Sequence, residues 1–216
     1  MVATGRTGEE RRLIELAGYA AVLSDLDGTL VNSDPPVRRA WTSFAQRHRL
    51  DAEQVIATAR GRPSREVAIE FAPDAPEEPG RLEHAEVSDS EGITALPGAL
   101  QLLTAPLTLA IVTSCSRALA IVRLRAAGLP APPALVCADE ISRGKPDPEP
   151  YLLGAERLGV APADCVVLED APAGIASGKA AGMTVIAVRT THEPSELAGA
   201  DAVIDTLTAL ALPRAA

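Results

Sequence analysis

The sequence lacks any run of lysine and arginine. Its basic residues are scattered, and 29 Asp and Glu against 20 Lys and Arg leave a formal charge of −9. Nucleic-acid binding normally needs a clustered basic surface, so no nucleic-acid partner is expected. A long apolar run is missing too. The nearest, 93–112, is broken by Pro97, Gly98, Gln101 and Pro106, so no membrane span is expected either. The N-terminal stretch MVATGRTGEERRLIEL carries acidic residues and no extended apolar core, unlike a signal peptide. Residues 1–18 read as a frayed or extra helix without assigned function. Cysteine is sparse: Cys115, Cys137 and Cys165 stand apart, each in or beside an apolar run. No CxxC or Cys/His spacing marks zinc, and the expectation is buried, reduced thiols in a cytoplasmic protein. His48, His84 and His192 are scattered, with no ordering that suggests a Ser/His/Asp triad. Internal repeats and low-complexity tracts are absent.

What is present is apolar bulk, 47% of 216 residues, enough for one domain with a modest insert. Six short apolar runs read as strands: 20–24, 107–112, 134–137, 165–168, 184–188 and 202–204. They are continuous rather than alternating, which suits a parallel sheet covered on both faces. Helical patterns separate them at 99–103, 117–127, 149–158 and 174–181. Gly128, Gly159 and Gly182 stand where helices should stop. This alternation predicts a doubly wound, Rossmann-like α/β core. From 33 to 96 no convincing strand is found. Helical patterns at 37–49, 52–59, 64–71 and 77–90 are punctuated by prolines. The expected organisation is therefore a discontinuous core, 1–32 and 97–216, with a small helical domain inserted at 33–96.

Four places carry chemistry. The first is DLDGT, following the apolar Val22-Leu23. In extended chain, Asp25 and Asp27 project to the same side. They sit at the carboxyl end of a strand, where open α/β sheets place ligands, and Gly28 permits a tight turn away. Asp-Gly is also a common turn dipeptide. The second is Thr113, after the run Leu109-Ala110-Ile111-Val112. It can bind a phosphate oxygen, aided by the amides opening the next helix, or simply cap that helix. The third is Lys145 in RGKPDP, a rigid non-helical loop. It reads as a placed point charge for phosphate or as a solvated lysine. The fourth is Glu169-Asp170, ending Val166-Val167-Leu168. These carboxylates can bind a hard cation or complement a helix dipole. Jointly, the four supply one phosphate-plus-Mg²⁺ site. Asp25, Glu169 and Asp170 brought together would repel one another without added positive charge, which Mg²⁺ and Lys145 would provide.

These motifs, DLDGT, Thr113, GKPDP and VLEDAPAGI, resemble in order and placement those of the haloacid dehalogenase-like hydrolases. The resemblance covers the chain from about Tyr19, and the helical insert is similar to the cap of that superfamily's first subclass. The segments EDAPAGIASGKAAGM, LEHAEVSDSEGITALPGA and KPDPEPYLLGAERLG look like those of its sugar-phosphate phosphatases, the branch acting on hexose, 2-deoxyglucose and glycerol phosphates. The resemblance implies a Mg²⁺-dependent phosphatase. Asp25 would be the nucleophile that becomes an aspartyl phosphate, and Asp27 the general acid and base. Asp25, the Asp27 carbonyl and Asp170 would hold the metal, with Glu169 nearby or just behind them. Thr113, the Ser114 amide and Lys145 would hold the phosphoryl oxygens. The substrate would be a small phosphorylated sugar or polyol, and the protein a monomer or weak homodimer. Arg62 and Arg65 are the cap candidates for touching substrate, or else solvated. Ser24 stands where the family often has Phe. Val37 stands where related β-phosphoglucomutases have a histidine, which argues against phosphosugar transfer on the same scaffold. A 2-haloacid dehalogenase has no use for Asp27 or a metal-binding Asp170. A non-catalytic protein that binds a phosphorylated metabolite has no need of so complete a set.

Overall fold

The computed structural model describes residues 13–60 and 62–213. In chain order the elements are β1 (Ile14–Glu15), β2 (Ala21–Ser24), β3 (Val31–Asn32), α1 (Asp34–His48), α2 (Ala52–Ala59), α3 (Ser64–Phe71) and α4 (Glu78–Ser88). Then follow β4 (Thr94–Ala95), α5 (Ala99–Thr104), β5 (Leu109–Val112), α6 (Arg117–Ala126), β6 (Ala134–Val136) and α7 (Glu149–Leu158). The chain closes with β7 (Cys165–Glu169), α8 (Pro172–Ala180), β8 (Thr184–Val188), β9 (Ala202–Ile204) and β10 (Leu210–Ala211).

The main sheet is parallel throughout, in the order β6-β5-β2-β7-β8-β9. Its six strands are the six apolar runs. Because helices cover both faces, every residue of β2, β5 and β7 is buried. Successive side chains alternate between two cores. Val22, Ile111, Val166 and Leu168 pack on one face, and Leu23, Val112, Val167 and Tyr151 on the other. The predicted α/β class is thus correct. Gly159 sits at φ 67 after α7 and Gly182 at φ 76 after α8, the left-handed stops that only glycine adopts cheaply.

The helices α1–α4 enclose a third core of their own, in which Trp41 meets Phe44 edge to face and Val55, Ile56, Val67 and Leu82 complete the packing. The first helix begins at Asp34, three residues before the expected start, with Pro35 and Pro36 in its first turn, where their missing N–H groups cost nothing.

Two expectations are corrected. Residues 33–96 do contain a strand: β4 pairs antiparallel with β3, Val31 opposite Ala95, as a ribbon where the helical layer leaves and rejoins the sheet. Residues 14 and 15 form not a helix but β1, parallel to β10. Residues 1–12 lie outside the described residues. In both cases a two-residue strand is set by its partner, not by any local run. Among the described residues, no helix is long and apolar enough to cross a membrane.

Candidate active site

The central strand β2 lies between β5 and β7, and all three point their carboxyl ends the same way. Asp25 follows β2, Thr113 follows β5, and Glu169 closes β7 with Asp170 next in the chain. Lys145 arrives from the loop after β6, and its amine donates to Asp25 Oδ1 at 2.5 Å and to Glu169 Oε1 at 2.6 Å. A third bond, 3.1 Å to the Val112 carbonyl, completes its three donors. The lysine is buried, so the solvated alternative is overturned.

Glu169 is fully engaged. Oε1 also accepts from the Tyr151 hydroxyl at 3.0 Å, and Oε2 accepts from the amides of Asp170 and Ala171 at 2.9 and 3.0 Å. It anchors Lys145 and leaves Asp25 and Asp170 as the freer oxygen donors. Asp170 is steered from both sides, by the Thr29 hydroxyl at 3.0 Å and by the Thr191 hydroxyl. Gly28 is required here: a Cβ at this position would lie 2.2 Å from Asp170 Oδ2, and its φ of +84 disfavours any side chain.

Carboxylate oxygens of Asp25, Glu169 and Asp170 lie within 4.8 Å of one another, all three groups buried. Against them stands one lysine. Burial pushes the Asp25 carboxyl well above its usual range; Lys145 opposes this, and Glu169 and Asp170 add to it. Burial, then the charge of Glu169, raises Asp170 to about 7. Burial works against the Lys145 charge, but Asp25 and Glu169 outweigh it and hold the amine well above its ordinary value. An all-oxygen, net-negative, buried donor set of this kind fits a hard divalent cation.

Asp27 turns to a different set of partners. Ser33 Oγ donates to Oδ1 at 2.5 Å, the Cys115 thiol donates to Oδ2 at 2.9 Å, and the Arg123 guanidinium forms an ion pair with it. Burial keeps the Cys115 thiol protonated and therefore a donor. Thr113 Oγ1 accepts from the Cys115 amide at 3.1 Å, while the cap of α6 is Ser116, which accepts from Leu119. Thr113 is thus a turn former without being the helix cap.

Asp25, Asp27, Thr113, Ser114 and Asp170 line one cavity, closed on its other side by Val37, Trp41, Arg60, Ser64 and Glu86 from the helical layer. Arg62 also lines it and pairs with Glu70 at 2.9 Å. Arg65 is exposed and does not line it. Arg60, at the end of α2, lines it as well and donates to the Thr191 carbonyl at 3.1 Å. Sequence reasoning missed Tyr151, Thr191, Ser33, Arg123 and Glu86. Tyr151 reads as a core aromatic and Arg123 as one more charge on a helix. The TTH segment after β8, polar and beyond another strand end, was the one usable signal.

A family model for haloacid dehalogenase-like hydrolases matches residues 19–182. Hexitol phosphatase A of Escherichia coli is 47% identical over 202 residues, covering 86% of this chain and 90% of that protein. Glycerol-1-phosphate phosphohydrolase 2 of Saccharomyces cerevisiae is 36% identical over 189 residues, 80% of this chain and 76% of that one. Among solved structures, a HAD family hydrolase from Deinococcus radiodurans with bound phosphate and sodium superposes with a TM-score of 0.67 at 29% identity, covering 89% and 93% of the two chains.

Proposed function

Because this chain belongs to the haloacid dehalogenase-like hydrolases, we propose that it is a Mg²⁺-dependent phosphatase of a small polyol or sugar phosphate, with Asp25 as its covalent nucleophile. The observation that carries this reading is Lys145, brought across 120 residues to within 2.5 Å of Asp25 and beside the acidic cluster that includes Asp170. The named activities of the relatives, on hexitol and glycerol phosphates, indicate the substrate class.

An Asp25 oxygen attacks phosphorus and the bond to the ester oxygen breaks. Asp27, which must enter the cycle protonated, gives that proton to the departing alcohol oxygen, then as carboxylate takes a proton from the water that attacks the phosphoryl group. The bond from phosphorus to Asp25 breaks, releasing inorganic phosphate and restoring both aspartates. Lys145, the Thr113 hydroxyl and the Ser114 amide hold the phosphoryl oxygens, so positioning and charge neutralisation supply most of the rate. Mg²⁺ would be held by Asp25, the Asp27 carbonyl and Asp170, and when bound it neutralises phosphoryl charge. The inserted helical layer serves as a cap that excludes bulk water. Val37 offers the cavity no proton-transfer group, so phosphosugar transfer finds no support at that position.

The test is phosphate release from glycerol, hexitol and hexose phosphates with Mg²⁺ and after chelation. Turnover that requires the metal is expected. Full activity after chelation, or no phosphate release from any of these esters, would refute the reading.

A further inference from the structure

The cavity has a second polar corner, away from the acidic cluster. Arg123, on α6 beside the sheet, is buried and pairs with Asp27 and, at 3.2 Å, with Glu86 on α4 of the helical layer. Glu86 is buried as well, and its other oxygen accepts from Ser64 at 3.1 Å. Both residues line the cavity.

The hydrogen-bond accounts of these two side chains do not close. The terminal nitrogens of Arg123 serve Asp27, Glu86 and, at 2.8 Å, the Cys115 sulfur. Its Nε–H is buried and has no acceptor among the described residues. Buried guanidinium donors are rarely left so, because the lost hydration is not returned. Glu86 has the opposite surplus: each oxygen takes one bond where it can take two. A missing acceptor and a spare acceptor, joined by one ion pair, call for a ligand group that accepts and donates through a single atom. A hydroxyl does this, taking the place of a water that would otherwise bridge the two. A ligand carboxylate would meet Asp27 and Glu86 as like charges, and a cation could not accept from Nε.

Position follows from Asp27. On the mechanism proposed above, on which this inference rests, Asp27 serves the ester oxygen. Arg123 bonds Asp27 directly and lines the same cavity, so a ligand hydroxyl bonded to it would lie beyond the ester oxygen, on a neighbouring carbon. We propose that Glu86 and Arg123 form a hydroxyl-reading subsite, which selects phosphates of vicinal polyols over phosphates whose neighbouring carbons are bare. The competing view makes the pair a structural tie between α4 and α6, with no contact to substrate.

Glycerol 1-phosphate and n-propyl phosphate share a carbon chain and differ only in the two hydroxyls. The ratio of their kcat/KM values is internal to each protein preparation, so a variant that folds less completely still reports it. The full-length enzyme with Mg²⁺ should prefer glycerol 1-phosphate by about 10-fold or more, chiefly through KM, the scale of a hydrogen bond to a charged group. In Glu86→Ala the ratio should fall toward one, and in Ser64→Ala part of the way, since Ser64 only orients the carboxylate. A wild-type ratio near one overturns the subsite. So does a preserved ratio in Glu86→Ala with both rates lowered together, the signature of a structural tie. If the wild type releases phosphate from neither compound nor from any hexitol or hexose phosphate, the phosphatase reading itself has failed, and the subsite falls with it.

Discussion

The amine of Lys145 donates to Asp25 Oδ1 at 2.5 Å although 120 residues separate them in the chain. The same amine holds Glu169 at 2.6 Å, so one cation serves carboxylates at the ends of the neighbouring strands β2 and β7. Replacing it by an apolar group strands two buried acids.

Lys145→Met should therefore lose on two counts. Turnover should fall by about 10²-fold or more, the scale of removing one preorganised charge from a phosphoryl-transfer site. In chelator, stability should fall by about 3–5 kcal/mol, the usual cost of breaking a buried pair. Urea titrations of both proteins test this. The stability deficit should shrink as pH is lowered, because the abandoned carboxylates can then take up protons.

Asp170, raised to about 7 by burial and by Glu169, would link metal binding to pH if it holds the proposed Mg²⁺. An acid whose pKa is higher in the folded than in the unfolded chain opposes folding as it ionises. The metal-free protein should thus lose stability as pH rises from about 4, the unfolded value, through about 7. Mg²⁺ binds the ionised form, so it should raise the melting temperature more at pH 8 than at pH 6. Asp170→Asn should weaken the pH dependence, which the raised Asp25 then carries alone, and abolish the Mg²⁺ shift. Melting curves with Mg²⁺ or chelator decide the matter, and an equal Mg²⁺ shift in that variant would contradict it.

Gly28→Ala places a methyl group 2.2 Å from Asp170 Oδ2 on backbone at φ +84. The backbone alone costs about 1–2 kcal/mol. The methyl must also displace Asp170, so the Mg²⁺ concentration for half-maximal activity should rise while KM at saturating metal changes less. A purely structural glycine would lower the melting temperature and leave the metal dependence untouched.

Much of this site is legible in the chain because strand ends concentrate it. Asp25 and Asp27, Thr113, and Glu169 with Asp170 each close an apolar run, and a parallel sheet brings such ends to one edge. Lys145 is legible only jointly with them, since nothing local separates a buried lysine from a solvated one. The supporting residues were hidden for a physical reason. Tyr151 and Arg123 sit on helices, where an aromatic reads as packing and an arginine as surface; their partners Glu169 and Asp27 are chosen by how α7 and α6 dock. The strands at Ile14–Glu15 and Thr94–Ala95 escape for a related reason: two residues carry no periodicity, and only Leu210–Ala211 and Val31–Asn32 make them strands. Arg65, a cap candidate beside Arg62, is exposed in the first turn of α3, while Arg60 lines the cavity.

The most direct measurement is mass spectrometry of enzyme quenched in acid during turnover of a polyol phosphate. The expected result is one phosphoryl group on the peptide containing Asp25, absent from Asp25→Asn, whose turnover should drop by about 10⁴-fold or more with an unchanged fold. An unmodified Asp25 peptide during steady turnover, or an Asp25→Asn enzyme that works at the wild-type rate, would contradict a covalent role for this carboxylate.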